Sequence, residues 1–289
     1  MRFQVVLAAA SMAFMASAPA AAQETTEDQP FSGLYVGAAG GYDVQGNDRG
    51  SQIQFDRNLD GRFGDQVLTG TGANAFGPGF CNGAARSQLS PANGGGCYKD
   101  KDGWAYYGRV GLDAQRGNIV VGVVGEFGKT EITDAVTGFS STPASYVMYR
   151  NVDWEASVRG RAGYAVDTTL FYGTFGAGYA KIDNLFFTTN TANAFSASGS
   201  KNQWGILGGG GIEQKLTKNI SIGMEYMYHQ YQDNDARVRV TAGTALAGSP
   251  VLLASNPFLI APNTSGTDFR RSDDKMRWHS LRGTVSFRF

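Results

Sequence analysis

What most constrains this chain is an alternation of apolar and polar residues that recurs along it and runs to its last residue. In the closing stretch RGTVSFRF, Phe289, Phe287 and Val285 fall on one side, with Leu281 further back and Gly283 between. Arg288, Ser286, Thr284 and Arg282 fall on the other. A period of two marks a β-strand whose faces meet different surroundings. The segment WAYYGRVGLDAQ repeats it: Trp104, Tyr106, Val110, Leu112 and Ala114 oppose Tyr107, Arg109, Asp113 and Gln115. So does VDWEASVRGRAGY, where Val152, Trp154, Ala156, Val158, Ala162 and Tyr164 oppose Asp153, Glu155, Ser157, Arg159 and Arg161. The pattern predicts eight strands, near 33–44, 104–115, 117–128, 152–165, 168–182, 202–216, 219–231 and 276–289.

The connections alternate as well. QRGN, VDTT and LTKN are tight turns, whereas 45–103, 129–151, 183–201 and 232–275 are long loops. This order suits an antiparallel up-and-down barrel with every large loop at one end, the asymmetry of barrels that span an outer membrane. A soluble barrel of lipocalin type would also have eight two-faced strands, with the apolar face inward. The loop asymmetry and the terminal Phe289 favour the membrane version. So do the four tryptophans: Trp104, Trp154, Trp204 and Trp278 each follow a long loop and fall at one rim, where indole rings form an aromatic girdle. Trp278, counted back from Phe289, lands on the opposite face, so its place in the girdle requires a bulge.

The start, MRFQVVLAAASMAFMASAPAAAQE, has a basic residue, an apolar core and a run of small residues. It reads as a signal peptide over 1–22, followed by a short periplasmic segment over 23–31 and a barrel over 32–289. No run of about 18 apolar residues follows, so no helix is expected to span a membrane. The net charge is zero, which excludes nucleic-acid binding by charge.

The segment FSGLYVGAAGGYDV, the eight-strand pattern and the ending HSLRGTVSFRF together resemble the small outer-membrane barrels of Gram-negative bacteria. The group they are most similar to is the opacity-like, "porin family" or outer-membrane immunogenic proteins of alphaproteobacteria, with the architecture of the OmpA transmembrane barrel. The resemblance covers roughly 31–289 and implies a Gram-negative outer-membrane location. It also implies an all-β, eight-stranded antiparallel transmembrane barrel with four long extracellular loops. Members serve structural, adhesive or binding roles, with outer-membrane lipid, lipopolysaccharide and surface or host ligands as partners. The resemblance further implies that the terminal aromatics, Phe287 and Phe289, are read by the outer-membrane assembly machinery. A monomer is expected.

If the apolar faces meet lipid, the polar faces fill the lumen. They bring Arg109, Arg159, Arg161 and Arg282 together with Asp113, Glu126, Glu155, Glu213 and Glu225. An eight-stranded barrel is just wide enough for side chains to fill it, and buried charges must pair. A plugged lumen with a charge network is the expectation; the alternative is a small solute-conducting porin.

Other motifs carry less. FDRNLDGRFGD holds Asp56, Asn58 and Asp60 in the opening pattern of a calcium loop, with Asp65 as a further oxygen. Val67 stands where that loop needs Glu, and surface turns favour the same residues, so no cofactor is assigned beyond this calcium option. Cys81 and Cys97, the only cysteines, share the first long loop and are expected to form a disulfide in an oxidising compartment. The only histidines are His229 and His279. His279 is followed by Ser280, a combination that would suit a lipid-modifying enzyme, but adjacent strand residues face opposite ways and make a poor nucleophile–base pair. The run from Val240 to Pro262 is apolar for an exposed loop and is expected to pack on its own loop or over the barrel mouth; the alternative is a contact surface for a partner or for lipid. The sequence reads as a non-enzymatic envelope barrel with a structural and surface-interaction role.

Overall fold

In a computed structural model the chain forms fourteen strands among the described residues, which are 29–46, 51–82, 97–142, 144–199, 201–244, 255–260 and 264–289. The segment read as a signal peptide, and residues 23–28 after it, lie outside them.

Eight strands make the barrel: β1 (Gly33–Val44), β4 (Gly103–Arg116), β5 (Ile119–Thr130), β7 (Ala144–Val166), β8 (Thr169–Thr188), β10 (Asn202–Lys215), β11 (Ile220–Gln232) and β14 (Lys275–Arg288). Each pairs antiparallel with the next in this order, and β14 pairs back onto β1 from Tyr35↔Arg288 to Val44↔His279. The sheet is therefore closed and leaves no free strand edge, as a hydrocarbon surrounding requires. The turns at Gly117 and Asp167 use left-handed backbone, with φ of 57° and 50°.

The outward wall is apolar. Val110, Val123, Phe175, Met224, Leu281 and Val285 all face out of the barrel and are exposed in the isolated chain. Phe287 and Phe289 end this face, and the Phe289 amide donates to Leu34 O at 2.9 Å. Above the apolar band runs an aromatic girdle. Tyr42 packs edge-on against Trp104 at 5.4 Å, and Trp154, Tyr179 and Trp204 are joined by contacts of 5.9 and 4.8 Å.

Trp278 is not part of that girdle. β14 pairs with both neighbours without a register shift, so Trp278 stays in phase with Ser280 and Arg282 and faces the lumen, with 0% exposure. The bulge lies elsewhere, at Val152/Trp154 in β7. It resets the alternation there: Trp154 faces out while Val152 is buried inside, so the two do not share a face as strict alternation predicts.

The long loops are themselves sheet. β7 and β8 rise together well above the membrane band, as far as the pair Tyr146↔Thr188. β6 (Thr133–Ser140) and β3 (Gly79–Asn82) extend that wall. A second sheet, in the order β2 (Ile53–Asp56), β13 (Thr267–Arg271), β12 (Arg237–Ala242), β9 (Asn193–Ser198), combines pieces of three long connections. The two sheets enclose a second apolar core of Phe55, Phe76, Tyr146, Val240, Phe258 and Phe269, among others. The described part of the apolar fourth loop thus packs into this core through Val240, Phe258 and Leu259.

Two devices tie this outer platform together. Arg150, fully buried, bonds Asp134 of β6 at 2.7 Å, Asp233 after β11 at 2.9 Å and Asp273 before β14 at 3.0 Å. Burial pushes the Asp134 carboxyl up, but Arg150 and Arg271 outweigh it and hold it below the usual carboxylate range. The second device is the Cys81–Cys97 disulfide, with Cα atoms 5.6 Å apart, which joins β3 to the segment leading into β4. Cys81→Ser is expected to weaken the platform by about 3 kcal/mol in the chain-entropy model. Amide exchange in β3 and β6 should then rise roughly a hundredfold while the barrel strands are unaffected. Unchanged exchange over residues 79–82 would count against this role.

Candidate functional site

The lumen holds its charged side chains in layers, because inward positions recur every second residue on strands that sit side by side. Near the chain ends, Arg288 bonds Asp113 at 2.9 Å and Glu213 at 3.5 Å, and Arg161 bonds the same two acids. Two arginines here meet two carboxylates. Arg161 also lies over the Tyr172 ring at 3.9 Å, and Arg288 over Tyr35 at 4.6 Å. Gly111 makes room for Tyr35: a Cβ there would sit 2.3 Å from its ring.

The central layer brings Arg109, Arg159 and Arg282 onto Glu126 and Glu225. Glu126 lies 2.7 Å from Arg159, 2.9 Å from Arg282 and 3.4 Å from Arg109. Glu225 takes Arg109 at 3.2 Å, Arg159 at 3.3 Å and Arg282 at 2.5 Å, and accepts the Tyr172 hydroxyl at 2.7 Å. The five charged residues come from five strands and are all nearly inaccessible to solvent.

Glu155, read in the sequence as part of the arginine network, sits apart from it. Its partners are His229 Nδ1 at 2.8 Å and the hydroxyls of Tyr231 at 2.6 Å and Tyr107 at 2.8 Å. His229 Nε2 in turn lies 3.3 Å from Ser280 Oγ, and Ser280 donates to Asp43 Oδ1. Trp278 closes this layer, stacked on His229 at 4.7 Å and on Tyr231 at 5.4 Å. The sequence had set Ser280 beside His279. The two do face opposite ways, and His279 bonds Tyr226 on the outer wall at 2.7 Å.

Ser280, His229 and Glu155 thus line up in the order nucleophile, base, orienting acid. The arrangement is sealed, however, with none of the three more than 1% exposed. The Ser280 hydroxyl lies between Asp43 and His229, within hydrogen-bond distance of both.

Both ends of the lumen are also filled. Phe31, Val120, Leu170 and Tyr172 pack together at the periplasmic end, and Ile132, Val152, Ile182, Leu207 and Met276 pack with Trp278 at the outer end. A cavity of about 520 Å³ opens at the periplasmic mouth, lined by Gln29, Ser32, Lys215, Lys218 and Phe289 among others.

Around Asp56 the candidate calcium oxygens are bonded to the turn's own backbone. Asp56 accepts the amides of Asp60 and Gly61 at 3.1 and 2.8 Å, and Asn58 accepts that of Asp60 at 3.0 Å. Asp60 accepts the Arg62 amide at 2.8 Å, and Asp65 accepts those of Arg57 and Asn58 at 2.8 and 3.3 Å. Among the described residues no group of three or more His, Cys, Asp or Glu side chains is arranged to hold a metal.

Sequence reasoning put Arg288 on the polar face without naming it in the charge network, and it missed Asp43, which also sits at an inward position of its strand. It also missed the Arg150 cluster, whose partners come from two of the long connections, Asp134 from the second and Asp233 and Asp273 from the two ends of the fourth.

A closed barrel with an apolar outer wall, an aromatic girdle and an ion-paired interior is an integral outer-membrane protein. Residues 6–248 match the family model for the outer membrane protein beta-barrel domain, and the chain belongs to that family, in the outer membrane of a Gram-negative bacterium. It is 33% identical over 139 residues to a 22 kDa outer membrane protein of Rhizobium leguminosarum bv. viciae. That match covers 47% of this chain and 57% of the relative, so it spans less than two thirds of the relative's length. Among solved structures, Ail, the attachment invasion locus protein of Yersinia pestis, aligns at 10% identity and a TM-score of 0.31, over 89% of this chain and 99% of that one. The outer membrane protease OmpT of Escherichia coli aligns at 8% identity and a TM-score of 0.39, over 92% and 99%.

Proposed function

We propose that the barrel is a closed, non-catalytic and monomeric membrane anchor that contributes to envelope integrity and carries a built platform for interactions at the cell surface. The observation behind this reading is the filled lumen: ion-paired layers, with apolar clusters at both ends. An ion in transit would have to displace Arg159 or Arg282, each held by two carboxylates. The sealed state of Ser280 supports a non-enzymatic role, and no cofactor enters the reading. The outward Phe287 and Phe289 at the barrel's closing seam fit recognition by the assembly machinery.

The test is a planar-bilayer recording on the refolded protein, with insertion confirmed separately. Inserted protein without current steps is the expected result. Stable, reproducible steps would replace this reading with a solute-conducting porin.

A further inference from the structure

The outer wall does not turn uniformly polar above the aromatic girdle. First comes a charged collar, where Lys181 pairs with Asp153 at 2.7 Å and Lys201 with Asp183 at 3.1 Å. Higher still, the outward face of the β7–β8 extension becomes apolar again. Tyr149 stacks on Phe187 at 5.4 Å and on Tyr98 at 5.5 Å, with rings within 15° of parallel. Leu185 sits directly across from Tyr149. Tyr98, Leu185 and Phe187 are 47%, 39% and 50% exposed, so the strip is open although the platform has its own core on the opposite face.

Height decides what can cover it. Phe187 lies eight residues beyond Tyr179 of the girdle, on the same strand. At about 3.3 Å per residue and a tilt of about 40°, this places the strip roughly 20 Å above the girdle. A leaflet with small headgroups ends far below that level. A leaflet of sugar-bearing lipid extends past it, and the outer membrane places such a leaflet on this side of the barrel. The strata then match: aromatic rings at the acyl boundary, charged pairs at the lipid phosphates, and a second aromatic surface at the sugars. Aromatic side chains suit that partner, because a sugar ring presents C–H groups to the rings and hydroxyls to the tyrosine tips.

From this we infer that the strip of Tyr98, Tyr149, Leu185 and Phe187 docks the core saccharide of the surrounding lipopolysaccharide. The inference rests on the surface-interaction reading and names its partner. Tyr98, at the end of the stack, follows the disulfide-bonded Cys97, and its amide donates to Thr137 Oγ1 at 3.1 Å.

The experiment titrates the refolded full chain, in micelles, with two purified lipopolysaccharides that share one lipid A: one with a complete core and one deep-rough. Wild type is expected to bind the complete-core form roughly tenfold more tightly. The Tyr149→Thr/Phe187→Thr variant, its folding verified by heat-modifiable gel mobility, should bind both forms at the deep-rough affinity. Equal affinities in wild type, or a preference retained in the variant, would overturn the inference. So would equal binding of lipid-free core oligosaccharide, which would make the strip a soluble-glycan site. A wild-type dimer in sedimentation that the variant lacks would instead assign the strip to a second copy of this chain. Conductance fails or holds independently: a conducting barrel that keeps the sugar preference would overturn the closed-anchor reading alone.

Discussion

Glu225→Gln is expected to destabilise the barrel by about 3–5 kcal/mol, because it removes one member of a buried ion network and leaves its partners uncompensated. Glu225 is one of two carboxylates facing three guanidiniums in the central layer, and it also takes the Tyr172 hydroxyl. With it neutral, Glu126 alone must balance Arg109, Arg159 and Arg282. The substitution keeps the side chain's volume, so the loss reads charge rather than packing. Urea unfolding of the refolded protein in micelles measures it. Arg239→Ala, which breaks the pair with Asp268 on the solvent-facing platform, serves as the contrast and should cost no more than about 1 kcal/mol. A loss below about 1 kcal/mol for Glu225→Gln would show that the layer tolerates an unpaired guanidinium, and the plugged-lumen argument would lose its energetic basis.

Trp278→Ala is expected to cost about 3–5 kcal/mol as well, by a different route: a large aromatic is deleted from a packed interior and a cavity remains. The lost contacts are the stacks on His229 and Tyr231 and the apolar cluster of Val152, Ile182 and Met276. Trp104→Ala, on the outward wall, leaves no enclosed cavity and should cost much less. Quenching by brominated lipid gives an independent reading of the same geometry. Single-tryptophan proteins retaining Trp104 or Trp204 should be quenched, and one retaining Trp278 should not. Strong quenching of Trp278 would return it to the girdle.

Most of the fold was legible because a barrel strand repeats one simple rule. Tight turns at 115–118, 166–169 and 216–219 and long connections elsewhere placed the strands, and alternation assigned their faces. Nearly every proposed lumen residue does face inward for this reason. Alternation, however, carries its phase only while the strand stays regular. The bulge at Val152/Trp154 shifted that phase, and no residue in VDWEAS announces it. Trp278 shows the converse: counting from Phe289 was sound, and the attraction of a tryptophan at the rim argued for a bulge that β14 does not contain.

Partner choice was harder to read. Arg109 and Glu225 are 116 residues apart, and their meeting depends on barrel stagger, which strand patterns do not encode. Glu155 was grouped with the arginines for its charge, but its height in the barrel gives it to His229, Tyr107 and Tyr231. The same limit hid the outer platform. Its strands are short, drawn from separate loops, and form an apolar core only after the hairpins stand up together.

The sequence by itself determined the class of fold, the membrane-facing wall and the polar character of the lumen, since these depend on period and loop order along single strands. Tertiary structure alone decided which charges pair, where Trp278 points, and that the long loops assemble into a platform with an aromatic strip. Those outcomes depend on register and stagger between strands, and on contacts whose partners lie scores of residues apart.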